Sequence, residues 1–93
     1  MQIENMKITK TRIQHEDHCQ GLVVSMNLEG DGTGTIFMCS LSKLEKVLTI
    51  IGVDSYEELV GSYCRAKFSE FILREIGNII KDKWLVLKEE NAQ

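Results

Sequence analysis

An α+β domain, a small antiparallel sheet with one three-turn helix in the order β-β-β-α-β-β, is predicted by three features of the sequence. These are a period-two segment running into an Asp-Gly hairpin signal, one stretch of helical periodicity in mid-chain, and strand-like composition after it. The first strand is Met6 to Gln14, rich in the β-branched residues Ile8, Thr9, Thr11 and Ile13. The second, Leu22 to Leu28, alternates cleanly: Leu22, Val24, Met26 and Leu28 share one face, while Val23, Ser25 and Asn27 share the other. Asp31-Gly32, inside the cluster Gly30 to Gly34, closes a hairpin onto a third strand, Thr35 to Cys39, antiparallel to the second. The period then changes. Leu41, Leu44, Val47, Leu48 and Ile51 recur at helical spacing, Ser42 and Glu45 form a capping-box pair, and Gly52 stands where a left-handed terminal residue belongs. Ser55 and Glu58 repeat the box, but Gly61 stops that turn early. Tyr63 to Phe68, Phe71 to Ile80 and Trp84 to Leu87 return to strand-like composition and read as two or three strands, with Gly77 marking a bulge or tight bend in the second stretch.

The whole chain of 93 residues reads as one domain, residues 1–93, with residues 1–5 and 88–93 as fraying tails. The element order is that of an OB-like partial barrel, in which the helix plugs the barrel between strands three and four. An open sheet packed on one helix fits the same order, and both architectures stay open. Hydrophobic residues make up 43% and charged residues 27%, a balance that excludes intrinsic disorder. With 11 Lys+Arg against 14 Asp+Glu the net charge is −3, so any attraction to a polyanion has to come from a local patch. No apolar run is long enough to cross a membrane, and Met1-Gln2-Ile3-Glu4 lacks the basic opening of a secretory signal. The expectation is a cytoplasmic protein with no membrane partner. Cys19, Cys39 and Cys64 are odd in number and widely spaced, a pattern of reduced thiols rather than of a disulfide framework.

The densest polar cluster is His15-Glu16-Asp17-His18-Cys19. His15, His18 and Cys19 are ligands that a transition metal accepts, yet no second ligand group accompanies them, and a solvated turn before Gly21 is the reading adopted, with no metal assigned. Gly30-x-Gly32-x-Gly34 fails the dinucleotide fingerprint on spacing and lacks the Lys-Ser/Thr pair of a phosphate loop. It reads as a flexible hairpin turn. No nucleophile elbow occurs, and the histidines lie far in sequence from Cys39 and Cys64. A non-enzyme without a cofactor is therefore expected. Basic residues gather at Lys7, Lys10 and Arg12, at Arg65 and Lys67, and at Arg74, Lys81 and Lys83. In a barrel-like fold those strands adjoin, and a positive strip beside Tyr63, Phe71 or Trp84 suits a nucleotide or a short single strand. Strand-edge lysines that merely prevent aggregation are the alternative.

Ile50-Ile51-Gly52-Val53-Asp54-Ser55-Tyr56-Glu57-Glu58-Leu59-Val60-Gly61, then Tyr63-Cys64-Arg65, then Ile76-Gly77-Asn78-Ile79-Ile80-Lys81-Asp82-Lys83-Trp84, resembles a widespread family of small phage-encoded proteins. Lys7-Ile8-Thr9-Lys10 and Glu16-Asp17-His18 fit the same pattern. Thr35-Ile36-Phe37-Met38-Cys39 departs from it, being plain strand where the family carries a stretch rich in glycine and aromatic residues. The resemblance implies a phage origin and a host-cell setting. With no catalytic group in view, it implies a counter-defence binding protein that sequesters a nucleotide immune signal or occludes a host defence protein such as a CRISPR effector. In that reading Arg65, Lys67, Arg74 and Lys83 contact phosphate while Tyr63 or Trp84 stacks on a base. The alternative is an OB-like accessory protein that holds single-stranded DNA. Free sheet edges point to self-association into a homo-oligomer.

Overall fold

One strand organises the molecule. In the computed structural model, which describes residues 2–16 and 21–86, β1 (Gln2–Glu16) runs for 15 residues and serves two neighbours. Its first part, Gln2 to Lys7, pairs antiparallel with β4 (Tyr63–Ser69), and its second, Lys7 to Glu16, pairs antiparallel with β2 (Gly21–Glu29). The register slips between Ile8 and Lys10, so Thr9 is the extra residue of a bulge at the changeover. There the backbone of Ile8 turns to the segment leading into β4: its N–H donates to Ser62 O and its carbonyl accepts from Gly61 N–H, both at 2.8 Å. A bulge sharpens local twist, and the sheet curls about this point into half a barrel.

The remaining strands extend the sheet outward on both sides. Beyond β2 lies β3 (Gly34–Ser40), and beyond β4 lie β5 (Ile72–Gly77) and β6 (Trp84–Val86), giving the order β3-β2-β1-β4-β5-β6 with every pair antiparallel. The fold is α+β, as the sequence predicts. Alternation sends Met6, Ile8, Met26, Leu28, Phe37 and Ile76 to the concave side, all fully or almost fully buried. Helix α1 (Leu44–Ile51) and the turn after it close that side with Val47, Ile51 and Leu59. Each large aliphatic or aromatic side chain so buried contributes about 1.5–3 kcal/mol.

Residues 2–5, expected to fray, are instead held in the sheet by their pairing with β4, and three further local details differ from the sequence reading. The helix begins as a 3-10 turn, Leu41–Lys43, capped by Ser40, whose Oγ accepts from Ser42 N–H at 3.4 Å; the predicted Ser42–Glu45 box does not form. β3 runs straight into this turn and moves the cap two residues upstream. Its other end is as predicted: Gly52 has φ 94°, a conformation costly for any residue with a Cβ, and its N–H bonds to Leu48 O at 2.8 Å. The Ser55–Glu58 box is present, with the Glu58 carboxylate accepting from Ser55 N–H at 3.1 Å.

The second difference is the strand predicted over Phe71 to Ile80, which spans only Ile72–Gly77. Glu70 and Phe71 take φ of 56° and 67° and form the two-residue turn of the β4–β5 hairpin, without a glycine, leaving the Phe71 side chain 99% exposed. At the other end Asn78 Oδ1 accepts from Ile80 and Lys81 N–H at 2.9 and 2.8 Å and turns the chain away. Thirdly, the bulge in this hairpin lies between Lys67 and Phe68 rather than at Gly77.

Among the described residues, no helix is long and apolar enough to cross a membrane. Cys39 and Cys64 are buried free thiols, and Cys19 lies outside the described residues. Burial pushes the Cys64 thiol from 9.0 up to about 11. Because its value in the folded chain lies above that in the unfolded chain, its contribution to stability is complete below pH 9 and is lost as pH rises toward 11. Urea midpoints measured from pH 8 to pH 11 are expected to fall more steeply for the parent than for Cys64→Ala; parallel curves would show that this thiol does not sense the core.

Candidate functional site

On β4 the alternation that buries Cys64 and Ala66 sends Tyr63, Arg65 and Lys67 to the convex, outer face of the sheet. Arg65 shares a register row with Gly77 of β5, and Gly77 shares one with Trp84 of β6. With no side chain at Gly77, the indole of Trp84 lies down across β5; a Cβ built at Gly77 would sit 2.5 Å from the ring. The ring thereby reaches two cations of β4, with Arg65 Cζ 4.7 Å and Lys67 Nζ 4.3 Å from its centroid. Each such contact contributes about 0.5–1 kcal/mol at an exposed site and more where water is excluded.

Further bonds fix the cluster. Trp84 Nε1 donates to Asp82 Oδ1 at 2.8 Å. Arg65 donates through Nε to Asn78 O and through Nη2 to Lys81 O, both at 2.7 Å, so its guanidinium clamps the loop between β5 and β6. Asn78 Nδ2 in turn donates to Ile50 O at 2.9 Å, joining that loop to the end of α1. Lys67 pairs with Glu75 at 3.6 Å, a partly buried contact with each side chain about one-fifth exposed. Two of the five guanidinium donors of Arg65 are committed to these carbonyls, and the others are free to meet an anion.

Of the six residues singled out in the sequence, the structure gathers Arg65, Lys67 and Trp84 into this cluster, with Tyr63 two residues along the same strand face. Trp84 rests on Gly77 and carries two cations, which makes it a ring that orients charge. Tyr63 is 53% exposed, with Lys7 Nζ 5.9 Å from its centroid, and is the ring open to a ligand. Lys83 is exposed in the loop directly before Trp84. Arg74 falls between Leu73 and Glu75 in the bulged stretch of β5 and has no register partner in β4.

A cleft of about 510 Å³ lies between α1 and β6 and takes in Trp84 alone of the six. The basic cluster is therefore an open face, not a pocket. Its neighbours add charge. Lys7 pairs with Tyr63 in register, and Lys10 and Arg12 follow on the outer side of β1. The sequence marks these three as basic, and what brings Lys10 and Arg12 onto the face that Lys7 shares with Arg65 and Lys67 is the bulge at Thr9.

Other groups named in the sequence supply less. His15 and Glu16 end β1, whereas Asp17, His18 and Cys19 lie outside the described residues. No cluster of three or more His, Cys, Asp or Glu that could hold a metal occurs among the described residues. The Gly30–Gly34 turn is closed by Gly30 N–H to Thr33 O at 2.8 Å, and Thr33 Oγ1 donates to Glu4 Oε1 at 3.2 Å. A carboxylate beside the turn makes it a poor seat for phosphate. No protein-family model, no curated protein and no solved structure matches the chain.

Replacing Gly77 by alanine is expected to lift the indole off β5, lowering stability by about 1–3 kcal/mol in urea titration and shifting the emission of this sole tryptophan to the red. An unchanged midpoint and spectrum would mean that Trp84 does not lie on Gly77.

Proposed function

We propose that the protein is a non-enzymatic binding protein that holds a phosphate-bearing, base-bearing ligand on the outer face of its sheet. One observation carries the reading: in a chain of net charge −3, Lys7, Lys10, Arg12, Arg65 and Lys67 stand on one face, and the carboxylates among them, Glu29, Glu75 and Asp82, are fewer. Such segregation draws a polyanion to one side of the molecule. Tyr63 stacks on the base, Lys67 and the uncommitted guanidinium donors of Arg65 take the phosphate, and Lys83 flanks them. Nothing in this arrangement breaks a bond, and the buried Cys64 stays protonated at neutral pH.

The architecture is compatible with an OB-like partial barrel. β1 lies between β2 and β4, and the helix falls between the third and fourth strands, as in that topology. Here β5 pairs outward with β6 and the barrel stays open. The resemblance to small phage proteins favours a counter-defence role, in which the ligand is a nucleotide immune signal. The same chemistry is offered by a single strand of nucleic acid in phage DNA metabolism, and the openness of the face favours that source.

Calorimetry with cyclic di- and trinucleotides, cyclic ADP-ribose isomers and a thymidine dodecamer separates the two. Binding to at least one is expected, and Tyr63→Ala should weaken it by about 1–3 kcal/mol while leaving the melting temperature unchanged, since the ring is half exposed. No heat with any member of the panel, or parental affinity in Tyr63→Ala, would refute the assignment of this face.

A further inference from the structure

The outer face carries a second, separate feature where β1, β2 and β3 adjoin. A cleft of about 240 Å³ opens there, and its polar lining is Lys10, Arg12, Gln14, Ser25 and Asn27. No carboxylate is among the residues that line it. Lys10 and Arg12 form no ion pair among the described residues; Arg12 Nη1 makes only a 3.5 Å contact to Gln14 Oε1, which leaves the Gln14 amide N–H groups as donors. Ser25 is the decisive residue. It is only 9% exposed, the one buried polar residue of the described chain, and its hydroxyl has no hydrogen-bond partner there. No side-chain polar atom of the described residues is both sealed from solvent and unpaired, so the Ser25 hydroxyl is served through the cleft. Along its β3 edge the cleft is walled by Ile36 and Met38, 58% and 39% exposed, an apolar shelf beside a nest of donors.

Donors without acids, next to apolar surface, match a phosphate attached to a sugar or base. The volume admits one such group and no more. Lys7, in register with Tyr63, leads along β1 to Lys10 and Arg12; with Thr9 bulged out, the path matches the four steps from Glu29 to Ser25 on β2, at about 3.3 Å each roughly 13 Å from the Tyr63 site. That is further than one mononucleotide reaches.

We propose that this cleft is a second phosphate-and-sugar subsite, and that the ligand is a single strand of nucleic acid lying from Tyr63 along β1 into the cleft. The inference rests on the reading of the outer face as a nucleotide-binding surface and commits it to a polymer. A phosphodiester enters between Lys10 and Arg12, its non-bridging oxygens accept from Ser25 Oγ and the Gln14 amide, and the adjoining sugar or base lies on Ile36 and Met38.

The test is fluorescence anisotropy with a labelled thymidine dodecamer across a salt series, competed by thymidine monophosphate and by a cyclic dinucleotide. The parent should bind the dodecamer and resist competition by the monophosphate. The double variant Lys10→Ala/Arg12→Ala should lose about tenfold or more in affinity at low salt, with the slope of log affinity against log salt shallower by about 1.4, two phosphate contacts at about 0.7 each. Ser25→Ala, which leaves β2 its small side chain, should lose severalfold with an unchanged melting temperature. If the double variant and Ser25→Ala keep parental affinity and slope while Tyr63→Ala weakens binding, the subsite is refuted and the nucleotide-binding reading stands. Binding of the cyclic dinucleotide but not the dodecamer has the same meaning. If neither probe binds the parent, the subsite and the reading beneath it fall together.

Discussion

The division of β1 between two partners is the constraint from which the rest of the structure follows. β1 pairs with β4 over Gln2 to Lys7 on one edge and with β2 over Lys7 to Glu16 on the other, and just past Lys7, where the two ladders meet, a register shift bends the strand. The bulge at Thr9 absorbs the change, and Thr9 Oγ1 reaches Asn27 O and Glu29 Oε2, each at 3.4 Å, on the outer side of the bend. Inside the bend, Met6 and Ile8 meet the side chains of α1 and of the turn ending at Leu59. Outside it, charges that belong to different segments of sequence share one convex face.

That convex face is stabilised by the same contacts that shape its chemistry. Trp84 lies on β6, the strand at the sheet edge. Its indole covers the gap left by Gly77, an aromatic side chain filling the space above a strand glycine, and so ties the edge to β4. Arg65 ties the loop before Trp84 through two carbonyls, and Asn78 ties the loop to α1. Removing Arg65 would therefore disturb the edge of the fold as well as its charge, which makes Tyr63 and the cations of β1 cleaner probes of binding.

Much of this was legible in the residues. The alternation of Val24, Met26 and Leu28 against Ser25 and Asn27 gave β2 and its core face, though Leu22 of that face is 42% exposed and Val23 of the other is buried; Gly52 gave the end of α1, and the Ser55–Glu58 pair gave a turn that forms as read. The end of β5 was hidden because Glu70 and Phe71 adopt the left-handed conformation that turn signals reserve for glycine, asparagine and aspartate. The role of Gly77 depends on a ring seven residues further along the chain, and that of Arg65 on carbonyls of a loop whose path the sequence does not show. Lys7 and Lys10 pose a simpler problem. Three residues apart on a regular strand they would face opposite sides, and only the extra residue at Thr9 turns both outward. A basic strand was visible in the sequence; a basic face was not.

The separation of charge has a consequence for selectivity. Because the outer face gathers five cations while the chain as a whole carries −3, the residues off that face are on balance acidic and offer a polyanion no net attraction. Uniformly basic proteins bind phosphate backbones wherever they touch them. Here attraction is confined to a strip along β1 and β4, and orientation is decided by charge before any stacking contact forms. The acidic background thus does for the ligand what the bulge does for the side chains: it leaves one face on which binding is favourable.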